Sequence, residues 1–105
     1  MIIKTAQTIN EIVRSFNPDT NIPVFPATFT NIVFKDGIID TGTTVVMTIT
    51  DISNGIYRAT WSASSVGFYQ LHIDNDDTDV QYISDMYQAK TDSEVDGSTT
   101  VYVGL

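Results

Sequence analysis

Few residues in this sequence could do chemistry: one histidine, His72, no cysteine, and an acidic run, Asp74-Asn75-Asp76-Asp77-Thr78-Asp79. Acid–base work or zinc binding at His72 needs a second histidine or a carboxylate converging on the ring, and nucleophilic catalysis needs a nucleophile beside a base and an orienting third group. The sequence places no such partner. His72 also falls on the outward phase of an alternating segment, so it is read as a surface residue, and no catalytic residue or cofactor is expected. The acidic run sets Asp74, Asp76, Asp77 and Asp79 within six residues, the hard-oxygen ligand type that calcium prefers. Counted from Asp74, Asp79 stands at the sixth position, where an EF-hand requires glycine, and no glutamate follows at the twelfth, which is Asp85. A solvated turn is therefore expected, because Asx residues favour turns through their own local hydrogen bonds. The four aspartates are the only metal-ligand candidates.

Recognition of another molecule is the remaining kind of chemistry. Tyr57, Trp61 and Tyr69 share a phase with small and aliphatic residues and are expected in the core, whereas Phe68 and Tyr87 are expected as exposed aromatic anchors, the usual hot spots of protein interfaces. The stretch from Asn17 to Pro26 is dense in turn formers, and its prolines forbid regular ladder pairing, so Asn17, Asp19 and Asn21 are candidate docking residues on a loop. The tail Thr99 to Leu105 is β-prone and apolar. Val101, Val103 and Leu105 are thus either paired in their own sheet or available as a strand to a neighbouring subunit.

Thirteen acidic residues against five basic ones give a net charge of −8, which repels nucleic-acid phosphates and anionic membrane faces, so direct binding to either is not expected. No apolar run approaches the roughly 20 residues needed to cross a bilayer as a helix. The first residues lack the basic and apolar regions of a signal peptide, so synthesis and retention in a cytoplasm are expected until something else carries the protein out. At 105 residues the chain matches one domain, residues 1–105, with residues 1–8 as an N-terminal arm.

Positioning these residues falls to short runs of Thr, Val, Ile, Tyr and Phe separated by Gly, Pro, Asn and Asp. Residues 9–16 fit either a strand or a short helical turn, with the strand favoured. Further strands are expected over Thr28–Lys35, Ile38–Asp40, Thr44–Thr50, Tyr57–Trp61, Phe68–Ile73, Val80–Ala89 and Thr99–Leu105. Asp36-Gly37 and Asn54-Gly55 mark tight turns. The fold class expected is all-β, an immunoglobulin-like antiparallel β-sandwich of about seven or eight strands.

The segment Met47-Thr48-Ile49-Thr50-Asp51-Ile52-Ser53-Asn54-Gly55-Ile56-Tyr57-Arg58-Ala59-Thr60-Trp61, followed by Gly67-Phe68-Tyr69-Gln70-Leu71-His72-Ile73-Asp74, resembles the immunoglobulin-like domains of tailed-bacteriophage virion proteins. In those domains an apolar strand leads to a Gly-x-Tyr turn, a strand ending in Trp and a second Gly-x-Tyr strand. Phe16-Asn17-Pro18-Asp19-Thr20-Asn21-Ile22-Pro23 is similar to a turn near their start, while Ser62-Ala63 stands where they carry proline after the Trp. The resemblance implies a non-enzymatic structural subunit of a virion, located in capsid, neck, tail or fibre. Such a subunit is made in the host cytoplasm, is present in many copies or as a homo-oligomer, and has other virion proteins as partners. The alternative expectation is a receptor- or carbohydrate-binding module, assisted by calcium at the acidic turn.

Overall fold

A computed structural model describes residues 1–49, 55–76, 81–91 and 99–104. Among the described residues, alternation of β-branched and aromatic residues with polar ones produces ten strands: β1 (Ile2–Lys4), β2 (Ile9–Arg14), β3 (Thr30–Lys35), β4 (Ile38–Ile39), β5 (Val46–Ile49), β6 (Ile56–Trp61), β7 (Gly67–Asp74), β8 (Gln81–Ile83), β9 (Tyr87–Lys90) and β10 (Thr99–Gly104). They form two sheets. The larger runs β1-β9-β7-β3-β4 with β8 also on β7, and the smaller runs β10-β2-β6-β5. The all-β sandwich expected from the alternation is therefore the fold.

The core lies between the sheets. Ile9, Val13, Tyr57, Ala59 and Trp61 of the smaller sheet meet Ile3, Val33, Tyr69, Leu71, Ile73 and Tyr87 of the larger one. Each fully buried aliphatic side chain contributes about 1.5–3 kcal/mol. Rings add directional contacts: Trp61 meets Tyr87 edge-on with centroids 5.3 Å apart, and Phe29 meets Tyr57 at 4.7 Å. Residues 9–16 follow the strand reading as far as Arg14, with Ile9, Glu11, Val13 and Ser15 on the inward phase.

Three expectations need correction. The pairing is not antiparallel throughout, because β1 runs parallel to β9 and β10 parallel to β2. Residues 1–8 are not a free arm: Ile3 is fully buried opposite Ala89, and the Gln88 amide donates to the Met1 carbonyl. The strands exceed seven or eight because Ile2–Lys4 forms a strand that was not expected, and because the strand expected over Val80–Ala89 is broken into β8 and β9.

That break is a β-bulge. The Ser84 amide donates to the Leu71 carbonyl, and Tyr87 pairs with Tyr69, so two steps along β7 correspond to three along the opposite strand. Asp85 and Met86 together oppose Gln70, and the Ser84 hydroxyl oxygen accepts the Leu71 amide at 2.8 Å. One inserted residue inverts the side-chain phase downstream. Tyr82 and Tyr87, an odd number of residues apart, are therefore both buried, and Met86 is turned outward.

Candidate interaction face

Sheet register assigns the outer face of the larger sheet. Inward Tyr69, Leu71 and Ile73 leave Phe68, Gln70 and His72 of β7 facing out. Their cross-strand partners share that face: Phe34 lies opposite Gln70, and Ile32 and Ile83 flank His72. The bulge adds Met86. Phe34, Gly37, Phe68, Gln70, His72 and Met86 line an open depression of about 230 Å³. Phe68 and Met86 are each 49% exposed and Ile83 is 50% exposed.

The outer face of the smaller sheet is different in chemistry. Asn10, Thr48, Arg58 and Thr60 occupy it beside the exposed Val46, and the Thr60 hydroxyl donates to Asn10 Oδ1 at 2.9 Å. A mainly polar outer face is the ordinary solution for a solvated sheet, so the more apolar character of the other one is the informative observation. The depression has room for a side chain or two, and its walls are aromatic and thioether surfaces suited to adaptable contact.

His72 belongs to this face. Its ring lies 4.6 Å from that of Phe34, and its Nε2 is 3.3 Å from Gln70 Oε1. Gln70 is held in turn, donating from Nε2 to the Ser84 carbonyl. These contacts orient an imidazole edge among apolar groups, which suits recognition.

Of the two expected aromatic anchors, Phe68 is on the surface and Tyr87 is not. Tyr87 is 1% exposed because the bulge inverts its phase, and its hydroxyl donates to Glu11 Oε1 at 2.8 Å across the sandwich. Glu11 is a buried carboxyl that the sequence reading passed over. Its signal was present in the phase Ile9-x-Glu11-x-Val13, which sets an acid among inward apolar residues. Burial pushes its pKa up from 4.5 to about 7, against the lowering effect of the Tyr87 hydrogen bond and with a small further rise from Asp85. The Tyr82 hydroxyl faces the same carboxyl and also favours its charged form, while Oε2 has no hydrogen bond of good geometry among the described residues.

The loop candidates are largely engaged within their own turn. Asn17 Oδ1 accepts the Asp19 amide, and Asn21 is gripped by Arg14, whose guanidinium donates to its Oδ1 at 2.7 Å and its carbonyl at 3.0 Å. Arg14 also lies over the Phe16 ring at 4.6 Å. Asp19 is exposed, as are Ile22 and Phe25, which were missed because the reading weighed the polar turn formers above the apolar residues between them. Val101 and Val103 lie on β10, which pairs with β2 of its own chain. Leu105 lies outside the described residues.

The acidic turn is partly described, with Asp77 and Asp79 outside. Asp76 takes a left-handed φ of 64° and accepts the hydroxyls of Thr28 and Thr30 at 2.8 Å each, while Asp74 Oδ1 accepts the Asp76 amide. These bonds tie the end of β7 to the start of β3. Among the described residues no group of three His, Asp or Glu could hold a metal ion. Asp76→Ala should cost about 1 kcal/mol in urea unfolding by orphaning both threonines, equally with calcium and with EDTA. A loss confined to the calcium arm would restore the cation reading.

No protein-family model, curated protein or solved structure matches this chain.

Proposed function

We propose that this chain is a non-enzymatic, immunoglobulin-like subunit that assembles with other proteins through the outer face of its larger sheet, in the setting of a tailed-bacteriophage virion. The observation that carries the assembly reading is the apolar face built from Phe34, Phe68, Ile83 and Met86, set against an opposite face on which Val46 stands among mainly polar residues. An exposed patch of that kind on a chain with a net charge of −8 supports a protein partner.

The immunoglobulin-like part of the reading draws on topology. The order β9-β7-β3-β4 opposite β2-β6-β5 follows the G-F-C-C′ and B-E-D arrangement, with β10 where strand A would flank B. Tyr69 supports it as a tyrosine corner. Where the chain crosses from β6 to β7, its hydroxyl donates to the Ser65 carbonyl at 2.8 Å and accepts the Ser65 amide at 3.1 Å. The virion setting draws on the Gly-x-Tyr and Trp pattern of β6 and β7. The carbohydrate alternative wants exposed ring faces, and with Tyr57, Trp61, Tyr69, Tyr82 and Tyr87 interior it would rest on phenylalanines such as Phe68 and Phe25.

Mass spectrometry of purified particles tests the setting, and the variants Phe68→Glu and Met86→Glu test the face. Both variants are expected to keep the parent Tm within a few degrees, since surface substitutions cost little, and to be depleted at least tenfold from particles. Recovery of the protein only from free lysate, or undiminished incorporation of both variants, would sink the proposal.

A further inference from the structure

We propose that Glu11 is a proton-controlled latch on the C-terminal strand: with the carboxyl neutral β10 stays on β2, and with it ionised the opening of β10 is favoured. The inference concerns the folded chain alone and does not depend on the assembly reading. Glu11 sits within the β2–β10 ladder, paired with Val101, and its side chain is fully buried between the sheets. One oxygen is held by Tyr87, the Tyr82 hydroxyl also faces the carboxyl, and Oε2 has no hydrogen bond of good geometry among the described residues. A neutral carboxyl tolerates that arrangement far better than a carboxylate, whose charge needs water or more donors.

The surrounding groups offset the burial only in part: the hydroxyls of Tyr87 of β9 and Tyr82 of β8 favour the charge, but Asp85 of the bulge repels it, and the β6 residue paired with it is Ala59. The sequence of β10, Thr-Thr-Val-Tyr-Val-Gly, contains no cationic residue. When the carboxyl ionises, the relief is to admit water by moving a strand that covers it, and the edge strand in Glu11's own ladder is β10, which pairs with β2 alone among the described strands.

Hydrogen exchange of the whole chain, corrected for the intrinsic pH dependence of amide exchange, tests the latch between pH 5 and pH 8. Amides of residues 99–104 should be less protected than those of Tyr69–Ile73, and their protection should fall on the order of 50-fold as Glu11 titrates from a pKa near 7 in the closed state. Glu11→Gln should abolish that fall. Tyr87→Phe removes the hydrogen bond that favours the carboxylate and should move the fall to higher pH. The latch is overturned if β10 is as protected as β7 throughout, if its protection does not change with pH, if Glu11→Gln retains the fall, or if Tyr87→Phe leaves its midpoint in place.

Discussion

At pH 8 the Glu11→Gln variant is expected to be more stable than the parent protein by about 3 kcal/mol, an advantage that shrinks below about 1 kcal/mol at pH 5. The folded-state pKa of Glu11 is raised from 4.5 to about 7 by burial, so the folded chain binds the proton more tightly than the unfolded chain. The stability this contributes is fully present below pH 4.5, is lost as the pH rises to about 7, and changes no further above that. Glutamine keeps the shape and can still accept from Tyr87 without carrying charge. Urea unfolding at several pH values measures the effect, and parallel stability curves for the two proteins would refute it. Most carboxylates stabilise a protein more as pH rises, so a loss of stability towards neutral pH is a distinctive sign.

A second large effect is expected at Gly55. Its φ is +75°, and a Cβ there would lie 2.6 Å from the Ser15 carbonyl oxygen and 2.9 Å from Pro23 Cβ. That carbonyl already accepts the Val24 amide, while the Ser15 amide donates to Gly55, so the clash falls on the junction joining β2, the long loop and β6. Gly55→Ala is therefore expected to cost more than about 3 kcal/mol, adding overpacking to left-handed strain. Gly37→Ala is the control. Gly37 has a φ of +82° but nothing within 4 Å of an added Cβ, so strain alone should cost about 1 kcal/mol. Equal costs in thermal or urea unfolding would show that the Ser15–Pro23 segment moves aside freely.

Much of the core was legible before any coordinates, because in half-buried strands side chains alternate strictly. Tyr57, Ala59, Trp61, Tyr69, Leu71 and Ile73 are all buried, as their phase requires. The phase failed at Tyr87, where the register shift at Ser84–Met86 depends on pairing with Leu71 and Tyr69 far away in sequence. At residues 9–16 strand and helical turn were both open, and the pairing of β2 with β6 is what turns Glu11 inward opposite Ala59. Of the candidate interaction face, Phe68 and His72 were legible from the phase of one strand and their companions were not. Phe34, Ile83 and Met86 come from other segments, and only strand order brings them beside β7.

The amino-acid sequence by itself determined that this protein is an all-β sandwich, because alternation and turn chemistry act over a few residues and need no knowledge of neighbours. It also determined that Phe68 would face outward, since that follows from the phase of a single strand. Tertiary structure alone decided that β1 and β10 run parallel to their partners, that a bulge buries Tyr87 against Glu11, and that Phe34, Phe68, Ile83 and Met86 share one face of the larger sheet. Each of these depends on which strands lie side by side and in what register, a choice made by the packing of the whole core.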